Sequence, residues 1–143
     1  MTDAPALLTA LLRGAYGLLF LASGISKYLR QSSINYTIAR YRLVPVRLVP
    51  VFSACLATLE IVAGALLLLS PVLPTYQLAW AMTTGLLGLF CIAIALALVR
   101  GLRIPCGCNW LLNGHTLTLA TLLRNLLLLL PMLSPPLLPS ALP

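Results

Sequence analysis

Charge is what this 143-residue sequence has least of. Asp, Glu, Lys and Arg together make up 8% of it, where a soluble domain carries roughly 25%. Only two acids occur, Asp3 and Glu60, and a single histidine, His115. So little charge excludes an ordinary soluble surface. The 61% hydrophobic content excludes a disordered chain. There is no internal repeat and no glycine-rich nucleotide-binding pattern, which leaves a single domain over residues 1–143. The formal net charge of +7 would suggest nucleic acid in a soluble protein. Here the placement of the charges points to a membrane surface, and no nucleic acid is expected as a partner.

What is present is apolar sequence in four runs, at about residues 7–26, 49–69, 78–99 and 116–133. Each is near the ~20 residues that cross a ~30 Å hydrocarbon core. Backbone groups in lipid must be satisfied within the segment, so these runs are expected to be helices. The predicted fold is an all-α membrane protein, a four-transmembrane-helix bundle in contact with the lipid bilayer. No basic residue precedes the first run and Arg13 lies within it, so a retained span is expected rather than a cleaved signal peptide. Between the first two runs, Ile34, Ile38 and Tyr41 recur at helical spacing beside Arg40, Arg42 and Arg47, until Pro45. This pattern predicts a short interfacial helix between helices 1 and 2. After Pro131, the prolines at 135, 136, 139 and 143 leave no room for further helix.

Lys27, Arg30, Arg40, Arg42 and Arg47 lie in the first connection, and Arg100 and Arg103 in the third. The other connection and both ends carry no Lys or Arg. The positive-inside rule then puts both basic connections in the cytoplasm and both termini outside the cell (inner) membrane.

Arg13, Glu60 and Arg124 fall inside the expected spans. Each costs at least ~2.5–3 kcal/mol near the bilayer centre unless paired or hydrated. At ~1.5 Å per residue, Glu60 lies ~18 Å from the cytoplasmic boundary, Arg124 ~13 Å and Arg13 ~20 Å. This bracketing predicts a buried Arg13–Glu60–Arg124 cluster, with Asn125 as a further hydrogen-bonding group. Small residues, among them Gly14, Gly17, Gly24, Gly64, Gly85 and Gly88, are expected to bring the helices close.

Four cysteines complete the chemistry. Cys106 and Cys108 flank Gly107 directly after Pro105. A C-x-C pair can close a small strained disulfide, and strained disulfides are the exchange-active ones. Arg100 and Arg103 nearby favour the thiolate. Cys55 and Cys91 lie ~10 and ~13 Å from the cytoplasmic boundary at the same helical rise. They are either small core hydrophobes or a buried relay beneath the C-x-C loop. Cys106, Cys108 and His115 supply only three metal ligands at no common spacing, so no metal site is expected.

Several motifs in order resemble the MauE/DoxX membrane proteins. They are Arg13-Gly14, Gly17-Leu18-Leu19-Phe20, Ser23-Gly24 and Lys27, then Tyr41-Arg42-Leu43-Val44-Pro45, then Glu60 with Gly64. Arg100-Gly101 followed by Cys106-Gly107-Cys108, and Arg124-Asn125, resemble the MauE branch. Asn109-Trp110 stands where that family usually continues with Phe-Gly. The resemblance implies a four-helix membrane protein associated with thiol redox chemistry; MauE itself is linked to maturation of methylamine dehydrogenase, a periplasmic enzyme rich in disulfides. Two functions follow as expectations. One is a membrane thiol–disulfide redox protein, a thiol–disulfide oxidoreductase in chemical terms, assisting maturation or electron transfer of an exported or membrane enzyme. With the C-x-C on the cytoplasmic side, such a relay would need Cys55 and Cys91, a rearrangement, or a quinone. The other is a non-catalytic subunit anchoring a larger redox complex.

The topology is testable: reporter fusions after Leu43 and after Pro143 are expected to give opposite readouts, and identical readouts would remove an odd number of crossings from the scheme.

Overall fold

The computed structural model describes residues 3–104 and 119–133, all of it helix, turn or loop. In chain order the helices are α1 (Asp3–Leu29), α2 (Gln31–Tyr41), α3 (Val49–Leu69), α4 (Tyr76–Val99) and α5 (Leu119–Met132). A 3-10 turn, Val46–Leu48, leads into α3. The all-helical membrane architecture expected from hydropathy is present. Among the described residues, three helical stretches are long and apolar enough to cross a bilayer: Ala6–Leu29, Val46–Leu69 and Tyr76–Val99. The fourth differs from expectation. α5 has 14 described residues, which rise ~21 Å and fall short of a ~30 Å core. Residues 116–118 of that expected span lie outside the described residues.

Helix ends follow local chemistry. α1 runs three residues past the expected boundary at Ser26 and stops at Leu29. Arg30 leaves helical geometry, and α2 starts one residue later. The helix predicted from Ile34, Ile38 and Tyr41 is α2, with Ile34 and Thr37 buried. It ends at Tyr41 because Arg42 adopts the left-handed conformation, φ 53°. Pro45 then precedes the 3-10 turn. α5 ends one residue after Pro131, whose ring removes an amide donor and crowds the preceding turn.

Among the described residues, the most extensive helix pair is α1 against α3. Buried positions on α1 recur as Tyr16, Phe20, Gly24 and Lys27, a 3.6-residue stripe. On α3 the stripe is Ser53, Leu56, Ala57, Glu60, Ala63, Gly64 and Leu67. Gly17 and Gly64 face each other across the seam: a Cβ on Gly64 would come within 2.7 Å of the Gly17 carbonyl oxygen. One on Gly24 would meet the Ala57 carbonyl at 2.8 Å. Gly14, Gly85 and Gly88 have open space instead, so of these small residues only Gly17, Gly24 and Gly64 mediate close approach.

α4 packs on α3 and carries α5 on its other flank. Two side chains tie α5 down through its backbone. The Tyr16 hydroxyl donates to the Leu128 carbonyl. The Trp80 indole donates to the Met132 carbonyl at 2.8 Å, one of the terminal acceptors that a helix leaves unsatisfied. The outward faces remain apolar, with Leu18, Val62, Ile92 and Leu127 among the exposed side chains. In water such faces would mark association; on membrane-spanning helices they are the lipid contact.

Gly64→Ala is expected to destabilise the protein by about 1–3 kcal/mol, the usual cost of overpacking, because the obstructing atoms are backbone. Gly85→Ala should leave stability unchanged. Thermal unfolding of both variants in detergent checks the contrast.

Candidate functional site

Glu60 is fully buried at 0% exposure, and its partner is Lys27, itself 6% exposed. The Lys27 Nζ lies 2.7 Å from both Glu60 Oε1 and Oε2 and donates to Ser23 Oγ at 2.8 Å. An ammonium has three donors, and all three are used. The Phe90 ring stands over it, with its centroid 5.2 Å from Nζ. Ser23 and Lys27 are four residues apart, so one helix face presents both to α3.

This pairing corrects the expected Arg13–Glu60–Arg124 cluster. Arg13 stacks on the Tyr76 ring at 3.8 Å instead. Arg124 is half-buried on α5 and is not the ion-pair partner of Glu60. Asn125 is buried, but its amide donates within its own helix to the Thr121 carbonyl at 3.0 Å. The difference has a physical reason: depths counted from the ends of the apolar runs put Ser26 and Val49 at one level. The glycine contacts fix another register, with Gly24 against Ala57 and Ile61, and Gly17 against Gly64 and Leu68. In that register the lysine side chain spans the remaining distance to Glu60. Arg13, 14 residues earlier, sits ~21 Å away along α1. A sequence signal for Lys27 existed: it continues the Tyr16, Phe20, Gly24 stripe by one more step of three.

Above the ion pair, α2 and the connection after it roof an apolar pocket of about 110 Å³. Ile34, Thr37 and Tyr41 line the roof, Phe52 and Leu56 come from α3, and Phe90 comes from α4. Lys27 is the one charged residue in its wall. α2 is held in place by the Ser53 hydroxyl, which donates to the Asn35 side-chain oxygen. A further polar tie joins α1 to α3 through the hydroxyls of Tyr28 and Thr58 at 2.6 Å.

The cysteines divide. Cys106 and Cys108, with His115, lie outside the described residues. Cys55 and Cys91 are free thiols. Cys91 lies on the buried stripe of α4, between Leu87 and Ile94. Cys55 is exposed on the outer face of α3. A pair of buried thiols, as the level depths suggested, is therefore not formed: the rotation of α3 that buries Ser53, Leu56 and Glu60 turns Cys55 outward. Among the described residues, no group of three or more His, Cys, Asp or Glu side chains is arranged to hold a metal ion.

Removing one partner of a buried ion pair typically costs ~3–5 kcal/mol, so Lys27→Ala and Glu60→Ala should each lower stability in detergent by that order. The double replacement Lys27→Met, Glu60→Leu should recover most of the loss. Arg13→Ala should cost less, about 0.5–2 kcal/mol for a cation held on a ring face. Unaltered unfolding of Glu60→Ala would show that the pair does not hold α1 to α3.

No curated protein and no solved structure gives a match. The family model for the methylamine utilisation protein MauE matches residues 5–138, nearly the whole chain. That span contains the α1–α3 seam, the ion pair and the C-x-C segment. With its multi-pass apolar helices, the chain belongs to the MauE family of membrane proteins.

Proposed function

We propose that this protein is a membrane accessory factor of methylamine utilisation, and that it assists maturation of an exported enzyme by thiol–disulfide exchange at Cys106 and Cys108. The observation that carries the reading is the family match over residues 5–138, which encloses Cys106-Gly107-Cys108. The chemistry of that tripeptide supports it. A client thiolate attacks one sulfur of a Cys106–Cys108 disulfide, and the other cysteine leaves as thiolate. A second client thiolate then resolves the mixed disulfide. The client gains one disulfide, and two electrons come to rest on Cys106 and Cys108 as thiols. Arg100 and Arg103, both exposed on the connection leading to the pair, favour the thiolate leaving group.

The bundle supplies a membrane-fixed platform. The 27-residue α1 and the 21-residue α3, pinned by Lys27 and Glu60, hold the connections at a set depth. α5 completes a fourth crossing in this reading, with both termini outside and the C-x-C connection on the cytoplasmic side of the inner membrane. Exchange with an exported client from that side requires a path through Cys91 and Cys55, a rearrangement of the connection, or a quinone. The exposed position of Cys55 and the buried position of Cys91 argue against the first of these. An anchoring subunit of a larger redox complex is the competing reading, and one experiment separates the two.

Cys106→Ser, Cys108→Ser and the double variant are expected to lose accumulation of the mature client enzyme to the same degree, because residues acting as one unit are non-additive. Thiol trapping in cells should show reversible oxidation of the pair in the parent protein. Cys91→Ala should cost only a small cavity. Full client accumulation in the double variant would leave the anchoring role.

A further inference from the structure

The apolar pocket is not used by thiol exchange, and three observations say what it takes. Its wall is hydrocarbon and aromatic ring from α2, α3 and α4, enclosing about 110 Å³. Apolar cavities of this order, such as one of roughly 150 Å³, stay dry and accept apolar guests. Leu43, Phe52 and Leu89 at its edge are all exposed, so it opens to the surroundings of the bundle.

Lys27 and Thr37, two polar residues in the wall, are already hydrogen-bonded. Lys27 donates to Ser23 and to both oxygens of Glu60, which consumes its three donors. The Thr37 hydroxyl donates to the Ser33 carbonyl at 3.0 Å. Lys27 thus has no donor left for the carbonyl of a quinone or any similar headgroup. The interior selects hydrocarbon.

The mouth is basic. Arg42 sits between Tyr41 and Leu43, both of which line the pocket, whereas Arg40 donates to the Tyr36 hydroxyl at 3.1 Å and lies over that ring, away from the pocket. Arg100, from the end of α4, donates to the Tyr41 carbonyl at 3.4 Å. Arg42 and Arg100 are both exposed. The sequence holds only two acids: Glu60 is committed to Lys27, and Asp3 begins α1 at its opposite end. Among the described residues, no carboxylate pairs with Arg42 or Arg100.

A hydrocarbon slot with an arginine rim is complementary to one class of molecule. We propose that the pocket binds a single anionic glycerophospholipid, with a segment of one acyl chain in the slot beneath α2 and the phosphate on the rim formed by Arg42 and Arg100. The site stands independently of the thiol reading, since none of its residues is a cysteine. Bound there, the lipid joins α2 to α3 and α4.

Native mass spectrometry of the full chain in detergent tests this by titration with dioleoylphosphatidylglycerol and, separately, dioleoylphosphatidylcholine. The expected result is one retained phosphatidylglycerol per chain, at least about tenfold tighter than phosphatidylcholine. Arg42→Gln and Arg100→Gln should each weaken phosphatidylglycerol about fivefold and leave phosphatidylcholine unchanged. Ala93→Trp, which fills the slot from α4, should abolish retention of phosphatidylglycerol. Leu89→Trp, at the exposed rim, serves the same purpose should the first variant fail to fold, as judged by helical circular dichroism. Equal retention of both lipids overturns the headgroup assignment. Undiminished binding in the folded tryptophan variants overturns the slot, and displacement of the lipid by equimolar decylubiquinone assigns the pocket to a quinone instead.

Discussion

The Lys27–Glu60 ion pair is the constraint on which the rest of this bundle depends. A charge inside a membrane is tolerated when it is paired and hydrogen-bonded, and here each group has its complement. Three donors on Nζ meet two carboxylate oxygens and the Ser23 hydroxyl. Such a pair adds little net stability over a well-packed apolar replacement, but leaving one partner alone is costly. Its consequence is therefore uniqueness of register. α1 and α3 cannot slide by a turn without burying an uncompensated charge. The Gly17–Gly64 approach agrees with the same register, so sterics and electrostatics reinforce one arrangement.

That seam sets the positions of everything attached to it. α1 is carried to Leu29, which leaves α2 to fold back over the end of α3. The Asn35–Ser53 hydrogen bond holds it there. The space left between α2, α3 and α4 is the apolar pocket, lined in part by Lys27. A lysine whose donors are all committed makes that wall electrically quiet, while the arginines outside it pair with no carboxylate among the described residues. Charge inside the bundle thus does structural service, and charge at its end is available to ligands.

α5 is held differently from the others. Its contacts with the core run through side chains that reach its backbone carbonyls, from Tyr16 on α1 and Trp80 on α4. Arg124 adds no ion pair to Glu60. The C-x-C segment precedes this helix in the chain.

Hydropathy by itself determined the fold class, three of the spans and the helix between the first two, because the requirement for internal backbone hydrogen bonding in lipid leaves no alternative to helix. Composition also singled out Glu60 as a buried acid needing a cation, and the cysteine spacing marked Cys106 and Cys108. The choice of cation belonged to the tertiary structure. Depth counted along separate helices assumes a common origin, and the glycine contacts that fix the real origin depend on which faces meet. They brought Lys27, counted as a connection residue, to Glu60, and left Arg13 on Tyr76. The environments of Cys55 and Cys91 were decided the same way: their depths were level, but the rotation of each helix about its own axis, set by packing, turned one outward and the other in.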